Sequence, residues 1–178
     1  MDTIGTLKRE HDACRGVAAA ARRRLIDPDQ PSVGEIEDFI DFFRYFSNSC
    51  HDPKEEDLLF TALHRRGLSW DGYPLHDLVT QHQAMHVTLD SAADWLPLAK
   101  AGDRSAVGPL IHNLRMYLDQ LLLHMDNEEE SIFPMAQHWL SQEDQRELET
   151  AFAAAACAEA QDEVHDFYGG LARRLVAA

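Results

Sequence analysis

Residues 50–60 read Cys-His-Asp-Pro-Lys-Glu-Glu-Asp-Leu-Leu-Phe, and residues 124–133 read His-Met-Asp-Asn-Glu-Glu-Glu-Ser-Ile-Phe. In both, a histidine is followed four residues later by a glutamate, and then by an apolar residue and phenylalanine. On a helix, side chains four apart share a face, with Cβ atoms roughly 6 Å apart. Each stretch also continues an apolar stripe. Ile36, Phe39, Ile40, Phe43 and Phe46 lead to His51, and Leu58, Leu59 and Leu63 follow Glu55. Leu114, Tyr117 and Leu121 lead to His124, and Ile132 and Met135 follow Glu128. Polar and charged groups on such a stripe are costly to bury unless a metal or a partner satisfies them.

The same helical period extends outward over the rest of the chain. Helix one is expected over about Asp2 to Ile26, and the proline-rich break from Asp27 to Ser32 ends it. Ser32 caps helix two, with Glu35 at the capping-box position. That helix is expected over about Val33 to Arg66, kinked or interrupted at Pro53, with a turn from Gly67 to Gly72. Helix three runs from near Pro74 to between Pro97 and Lys100, and 101–103 close it. Helix four starts between Asp103 and Pro109 and runs to about Trp139. Ser141, with Asp144 three residues on, caps a fifth helix that ends near 169–170 or the C-terminus. No strand pattern and no internal repeat is evident. Short loops make successive helices antiparallel neighbours. The expected fold is all-α: an up-down-up-down four-helix bundle over 1–140, with one flanking C-terminal helix over 141–178.

Composition narrows the function. The chain has 178 residues, with 31 acidic and 16 basic side chains and a net charge of -15. Such a chain repels phosphate backbones, so no nucleic-acid partner is expected. No apolar run reaches the ~18 residues of a membrane span. The first residues lack the apolar stretch of a signal peptide, so a cytoplasmic location and no membrane partner are expected. Cys14, Cys50 and Cys157 are far apart and form no Cys-x-x-Cys, which argues against a disulfide framework or a zinc knuckle. Ferritin-like di-iron proteins carry Glu-x-x-His on two helices, and this sequence has none. A zincin's His-Glu-x-x-His is missing too, as are a phosphate loop and a nucleophile elbow.

Ten histidines remain to be placed. Helix one offers His11, helix two His51 and Glu55, helix three His82 and His86, and helix four His124 and Glu128. A chain rich in His, Asp and Glu forms His-to-acid pairs by chance, and His86/Asp90 is a third such pair. What exceeds chance is the distribution, in which every bundle helix supplies a donor. Five imidazoles and two carboxylates would meet inside the bundle.

With these residues placed, the chain resembles the hemerythrin-like (HHE cation-binding) domain family, in its bacterial type. The resemblance rests on Glu10-His11-Asp12, on 50–60, on Gln81-His82 through His86, and on His124 through Pro134, and it spans about residues 5 to 140. It implies two non-haem irons inside the bundle, joined by an oxo or hydroxo group. It further implies that His82, His86 and His124 hold one iron, that His11 and His51 hold the other, and that Glu55 and Glu128 bridge them. The second iron is then one ligand short. The open position would bind or sense a small ligand such as O₂. The same metals in an enzyme acting on peroxide or nitric oxide, or in an iron store or sensory module without catalysis, are the alternatives. The sequence departs from the family pattern in two places. Glu128 lies four residues after His124 where oxygen carriers have their carboxylate five after, so Glu128 or Glu129 is the bridge. Gln81 stands where many bacterial relatives have glutamate.

Other residues have plainer readings. Asp12, Asp52, Asp90 and Glu56 suit hydrogen bonds to the far nitrogens of ligating histidines, although a solvated acidic face is the commoner role. Cys50 reads as a small buried hydrophobe, and Cys14, one turn after His11, approaches the site. Tyr45, Tyr117 and Tyr168 read first as packing residues and second as proton or electron donors. His64, His76, His112 and His138 read as surface or cap residues, and His165, near Asp162, as a residue that closes over the bundle.

Overall fold

The computed structural model describes residues 2–27, 31–155 and 162–177, with side chains described in all of these but 162–168. Pro28, Asp29 and Gln30 of the expected break lie outside the described residues, as does Cys157. So do the side chains of Asp162, His165 and Tyr168.

Among the described residues every regular element is helical. Helix α1 spans Thr3–Ile26 and α2 spans Val33–Phe43. The α2 axis continues through two π-helical stretches, Arg44–His51 and Lys54–Phe60, into α3 (Thr61–Arg65). Then come α4 (Leu75–Ala93), α5 (Leu96–Lys100), α6 (Arg104–Glu130), α7 (Ile132–Trp139), α8 (Gln142–Ala154) and α9 (Asp162–Ala177). Ser32 and Ser141 cap as expected, each in a capping box with Glu35 or Asp144. Gly67 and Gly102 take positive φ (104° and 90°) where α3 and α5 end, a conformation that glycine adopts without strain.

The π stretches replace the expected kink at Pro53. Phe43, Ser47, His51, Glu55, Leu59 and Leu63 are all buried, and they are spaced every fourth residue. On a regular helix a step of four overshoots the turn by about 40°, so five steps would carry the stripe about 200° around the axis. Wider π turns absorb that drift and keep one face inward over the whole span. The Asp52 amide, for example, bonds back five residues to the Ser47 carbonyl. Pro53, which has no amide hydrogen, sits between the two stretches.

The interior consists of two apolar clusters with a polar layer between them. One cluster gathers Val17, Ala18 and Ala21 of α1, Ile36, Phe39, Ile40 and Phe43 of α2, Leu89 and Ala92 of α4, and Leu110, Leu114 and Tyr117 of α6. The other gathers Ile4 and Leu7, Leu59, Phe60 and Leu63, Leu75 and Leu78, and Ile132, Phe133 and Ala136. The four chain passages run through the layer in alternating directions. Leu7, His11 and Cys14 lead from the second cluster to the first, and Phe43, His51 and Leu59 lead back. Leu78, His82 and Met85, and then Leu121, Glu128 and Ile132, repeat the alternation. This is the up-down-up-down bundle. Each fully buried phenylalanine contributes about 1.5–3 kcal/mol.

The C-terminal part differs from the single flanking helix expected. Leu148 and Phe152 of α8 close the second cluster, whereas Leu171 and Leu175 of α9 close the first. α8 packs against α1 and the second π stretch, and α9 against α1 and α2. α4 likewise stops at Ala93 before the short α5, and α6 stops at Glu130, where Ser131 breaks it from α7.

Asp144 joins α8 to the bundle. Its carboxylate accepts two 2.8 Å bonds from Arg66, after α3, and one from the Ser141 amide. Hydrogen bonds from Arg66 and Ser141 lower its pKa to about 2. Asp144→Asn is expected to cost about 1 kcal/mol of stability at neutral pH. A depressed carboxyl stabilises the fold above its unfolded pKa and loses that contribution as pH falls. Urea unfolding of wild type and variant should therefore show a gap that closes between pH 3.8 and about 2.

Candidate metal centre

Six of the seven expected donors converge in the polar layer: His11 from α1, His51 and Glu55 from the π-helical segments, His82 from α4, and His124 and Glu128 from α6. They form two groups that share both carboxylates, His11–His51–Glu55–Glu128 and Glu55–His82–His124–Glu128, with the donor atoms of each within 4.8 Å of one another. The two oxygens of each carboxylate are divided between the groups. Glu55 Oε1 lies 3.5 Å from His51 Nε2 and 3.9 Å from His11 Nε2, while its Oε2 lies 3.5 Å from His82 Nε2. Glu128 Oε2 lies 3.3 Å from His11 Nε2, while its Oε1 lies 3.1 Å from His124 Nε2 and 3.8 Å from His82 Nε2. Two buried His/Glu clusters are thus positioned to ligate a pair of metal ions, with each carboxylate spanning the pair.

Hydrogen bonds at the far side of each ring set its tautomer. His11 donates from Nδ1 to Glu129 at 2.9 Å, His51 to Glu10 at 2.8 Å, His82 to Glu56 at 2.6 Å and His124 to Gln81 Oε1 at 2.9 Å. An ionised carboxylate only accepts, so each Nδ1 carries the hydrogen and each Nε2 turns a lone pair inward. The Nε2 atoms of His11 and His51 stand 3.1 Å apart, a contact of two lone pairs unless a cation lies with them. Both oxygens of Glu55, both of Glu128, and the Nε2 atoms of His82 and His124 are buried without a hydrogen-bond partner. Each such atom forfeits about 1–3 kcal/mol. Nitrogen and carboxylate donors with no thiolate suit iron, manganese or zinc, so the residues present fit a bound metal pair.

Without metal, protons take up the imbalance. Burial tends to lower the His51 pKa, but the facing Glu55, and then Glu10 and Asp52, push it up to about 9. His82 is held well above its ordinary value, its burial outweighed by Glu55 and Glu56. Burial and the facing Glu128 raise the Glu55 carboxyl. Burial also opposes ionisation of Glu128, yet His124 and His11 hold that carboxyl well below its ordinary value.

The structure does not bring His86 into either group. Its Nε2 bonds to Asp52 Oδ2 at 2.8 Å, and its side chain is 35% exposed. Glu129, the alternative bridge, instead holds His11 from outside and accepts from Arg15 at 2.6 Å. Of the four acids considered for the far nitrogens, Glu56 serves His82 and Asp52 serves His86. Asp90 instead pairs with Arg44, and Asp12 is exposed. Sequence reasoning missed Glu10, Gln81 and Glu129 in this role. Their signal is positional, since Glu10 and Gln81 immediately precede ligand-type histidines and Glu129 follows Glu128.

Burial pushes the Cys14 thiol up to about 12, so it stays protonated, 3.7 Å from the Ser47 hydroxyl. Cys50 is buried, as expected, and is disulfide-bonded. Tyr117 packs on Phe43 with ring centroids 5.2 Å apart. His64 bonds the Leu68 carbonyl at the turn, and His76, His112 and His138 are exposed. Phe133 stacks on His11 at 5.2 Å and Phe60 on His82 at 6.4 Å, closing the layer on the second cluster's side.

A ligand that binds only the folded chain raises its stability by about 2.7 kcal/mol at a free concentration of 100 Kd. Zinc or ferrous ion should raise the thermal midpoint of the metal-free chain accordingly. Glu55→Gln and Glu128→Gln each take a donor from both groups and should abolish most of that shift. His112→Ala, at an exposed site, should leave it intact.

The comparisons with known proteins agree with this geometry. No curated protein and no solved structure matches the chain. Residues 2–136 match the hemerythrin HHE cation binding domain, a span that contains both His/Glu groups. Among the described residues no helix is long and apolar enough to cross a membrane. The match covers three quarters of the chain, which belongs to the hemerythrin HHE cation-binding family.

Proposed function

We propose that the chain is a non-haem di-iron protein that binds or senses O₂. The observation that carries this reading is the pair of buried carboxylates, Glu55 and Glu128, each turning one oxygen to either histidine group and neither holding a hydrogen bond. In this reading His11 and His51 hold one iron, and His82, His86 and His124 hold the other. Glu55 and Glu128 would be shared between the two. His86 joins the set by exchanging its bond to Asp52 for the metal. An iron pair here supplies the two electrons that O₂ takes up when it binds.

The chain's own residues do the rest. Glu129, Glu10, Glu56 and Gln81 orient the imidazoles, fixing each Nδ1 as donor and each Nε2 as ligand. Phe60, Phe133 and Leu59 keep water from the second cluster's side of the layer. Two bridging carboxylates and a hydroxide largely balance two ferrous ions, so a shell otherwise made of neutral imidazoles leaves little net buried charge. With His86 in the set, the His11/His51 position would have one imidazole fewer than its neighbour, leaving room there for a small diatomic ligand. Tyr117, a candidate for a redox donor, is buried in the core. That favours reversible binding over turnover of peroxide or nitric oxide.

The test is iron content per chain together with absorption spectra of the anaerobically reduced protein before and after air. The expected result is two irons per chain and a visible band that appears in air and is lost under vacuum. Two irons with irreversible oxidation would transfer the function to peroxide or nitric-oxide chemistry. Less than one metal per chain, unchanged by His51→Ala and His124→Ala, would remove the di-iron reading.

A further inference from the structure

The two histidine groups are alike in their inward-facing atoms and unlike in what holds them from outside. At the His11/His51 position both rings donate to carboxylates, and each carboxylate is clamped by a cation. Glu129 accepts from Arg15 at 2.6 Å, and Arg15 also reaches Asp126 at 2.8 Å. Glu10 is paired with Lys54, whose side chain is 7% exposed. At the His82/His124 position only one ring donates to a carboxylate, that of Glu56, which is 34% exposed. The other, His124, donates to the neutral amide of Gln81. An open groove of about 190 Å³, lined by Gln81, Ala84, Met85, Gln120, Leu123 and His124, adjoins this second position. His86 serves that position only by releasing Asp52.

A carboxylate acceptor draws the ring hydrogen toward itself and makes the opposite nitrogen a stronger donor, and an amide does so far less. A carboxylate paired with a cation also fixes the ring's orientation, and Lys54 is buried while Arg15 and Glu129 are each 29% exposed. We infer that the two metal positions are unequal: the His11/His51 position retains its metal, the His82/His124 position exchanges it through the α4–α6 side, and Gln81 is the positioning residue that sets the difference. This inference rests on the metal-centre reading above.

Gln81 offers a clean test because its oxygen accepts from both His124 and the Asn127 amide, 3.4 Å away. A glutamate in its place keeps both bonds and adds the charge. The iron-loaded full chain is challenged with a chromogenic ferrous chelator under anaerobic conditions. Wild type should release two equivalents in two phases whose rates differ at least about 10-fold. Gln81→Glu should slow the faster phase by about 10- to 100-fold and leave the slower one unchanged, and Gln81→Ala should speed the faster phase. Glu129→Gln should speed only the slower phase. A purely structural role for Gln81 would move both of its variants in the same direction, and that outcome overturns the assignment. A single release phase, or both phases shifting together in Gln81→Glu, overturns the inequality while sparing the metal pair. A chain that takes up no iron overturns the inference together with the reading beneath it.

Discussion

Four imidazoles and two carboxylates lie in a layer between two apolar clusters, and the Nε2 atoms of His11 and His51 face each other at 3.1 Å. That contact is the constraint the rest of the molecule answers to. Both rings already give their Nδ1 hydrogens to carboxylates, so the space between the inward nitrogens demands a cation. Glu55, Glu10 and Asp52 push His51 up to about 9, so a proton on its ring answers the same demand. An apolar layer of the same shape would be more stable, since buried ionic groups seldom repay their desolvation. The bundle gives up stability at this level and recovers it above and below, where the aromatic rings and the covers α8 and α9 are packed.

Much of this layer is legible in the sequence because a helix turns spacing into direction. His51/Glu55 and His124/Glu128 carry their common face in their separation, and flanking phenylalanines and leucines say that the face is buried. Capping boxes at Ser32 and Ser141 are equally local, so they too can be read directly. The π-helical turns are a different matter. Nothing in residues 44–60 announces them except a buried residue at every fourth position from Phe43 to Leu63, too long a run for a regular helix to keep on one side. The proline is visible and suggests a kink, but the wider turns follow from the tertiary demand that Ser47, His51 and Glu55 all face inward.

The outer ring of hydrogen bonds is less legible, for a physical reason. Glu10, Gln81 and Glu129 all reach histidines on other passages, and those partnerships depend on how the helices rotate against one another. His51 takes Glu10 from α1, His124 takes Gln81 from α4, and His11 takes Glu129 from α6. No spacing rule within one helix contains them. His86 illustrates the converse. It lies four residues from His82, yet a buried aspartate across the bundle holds it at 2.8 Å in the metal-free arrangement. Local spacing puts a donor within reach of the centre, and the charges around it decide which partner it takes.

The routes by which anything reaches the centre follow from the same packing. Phe60 and Phe133 lie across the histidines on the second cluster's side, and Cys14, Ser47 and Tyr117 fill the side toward the first, all essentially unexposed. α8 packs against α1 and the second π stretch, and α9 against α1 and α2, so both lie over the α1 side of the bundle. Access therefore runs laterally, between helices. On the α1 side the Arg15–Glu129 and Lys54–Glu10 pairs would have to open, and separating paired charges in a partly buried setting is expensive. On the α4–α6 side the lining is Ala84, Met85, Leu123 and the uncharged Gln81 and Gln120, and nothing ionic need break there. A small uncharged diatomic meets no desolvation barrier along such a surface, whereas a hydrated metal ion has the Gln81 and Gln120 amides and His124 to replace its water. Among the described residues this uncharged lining adjoins His124, whose ring is held by an amide instead of a carboxylate.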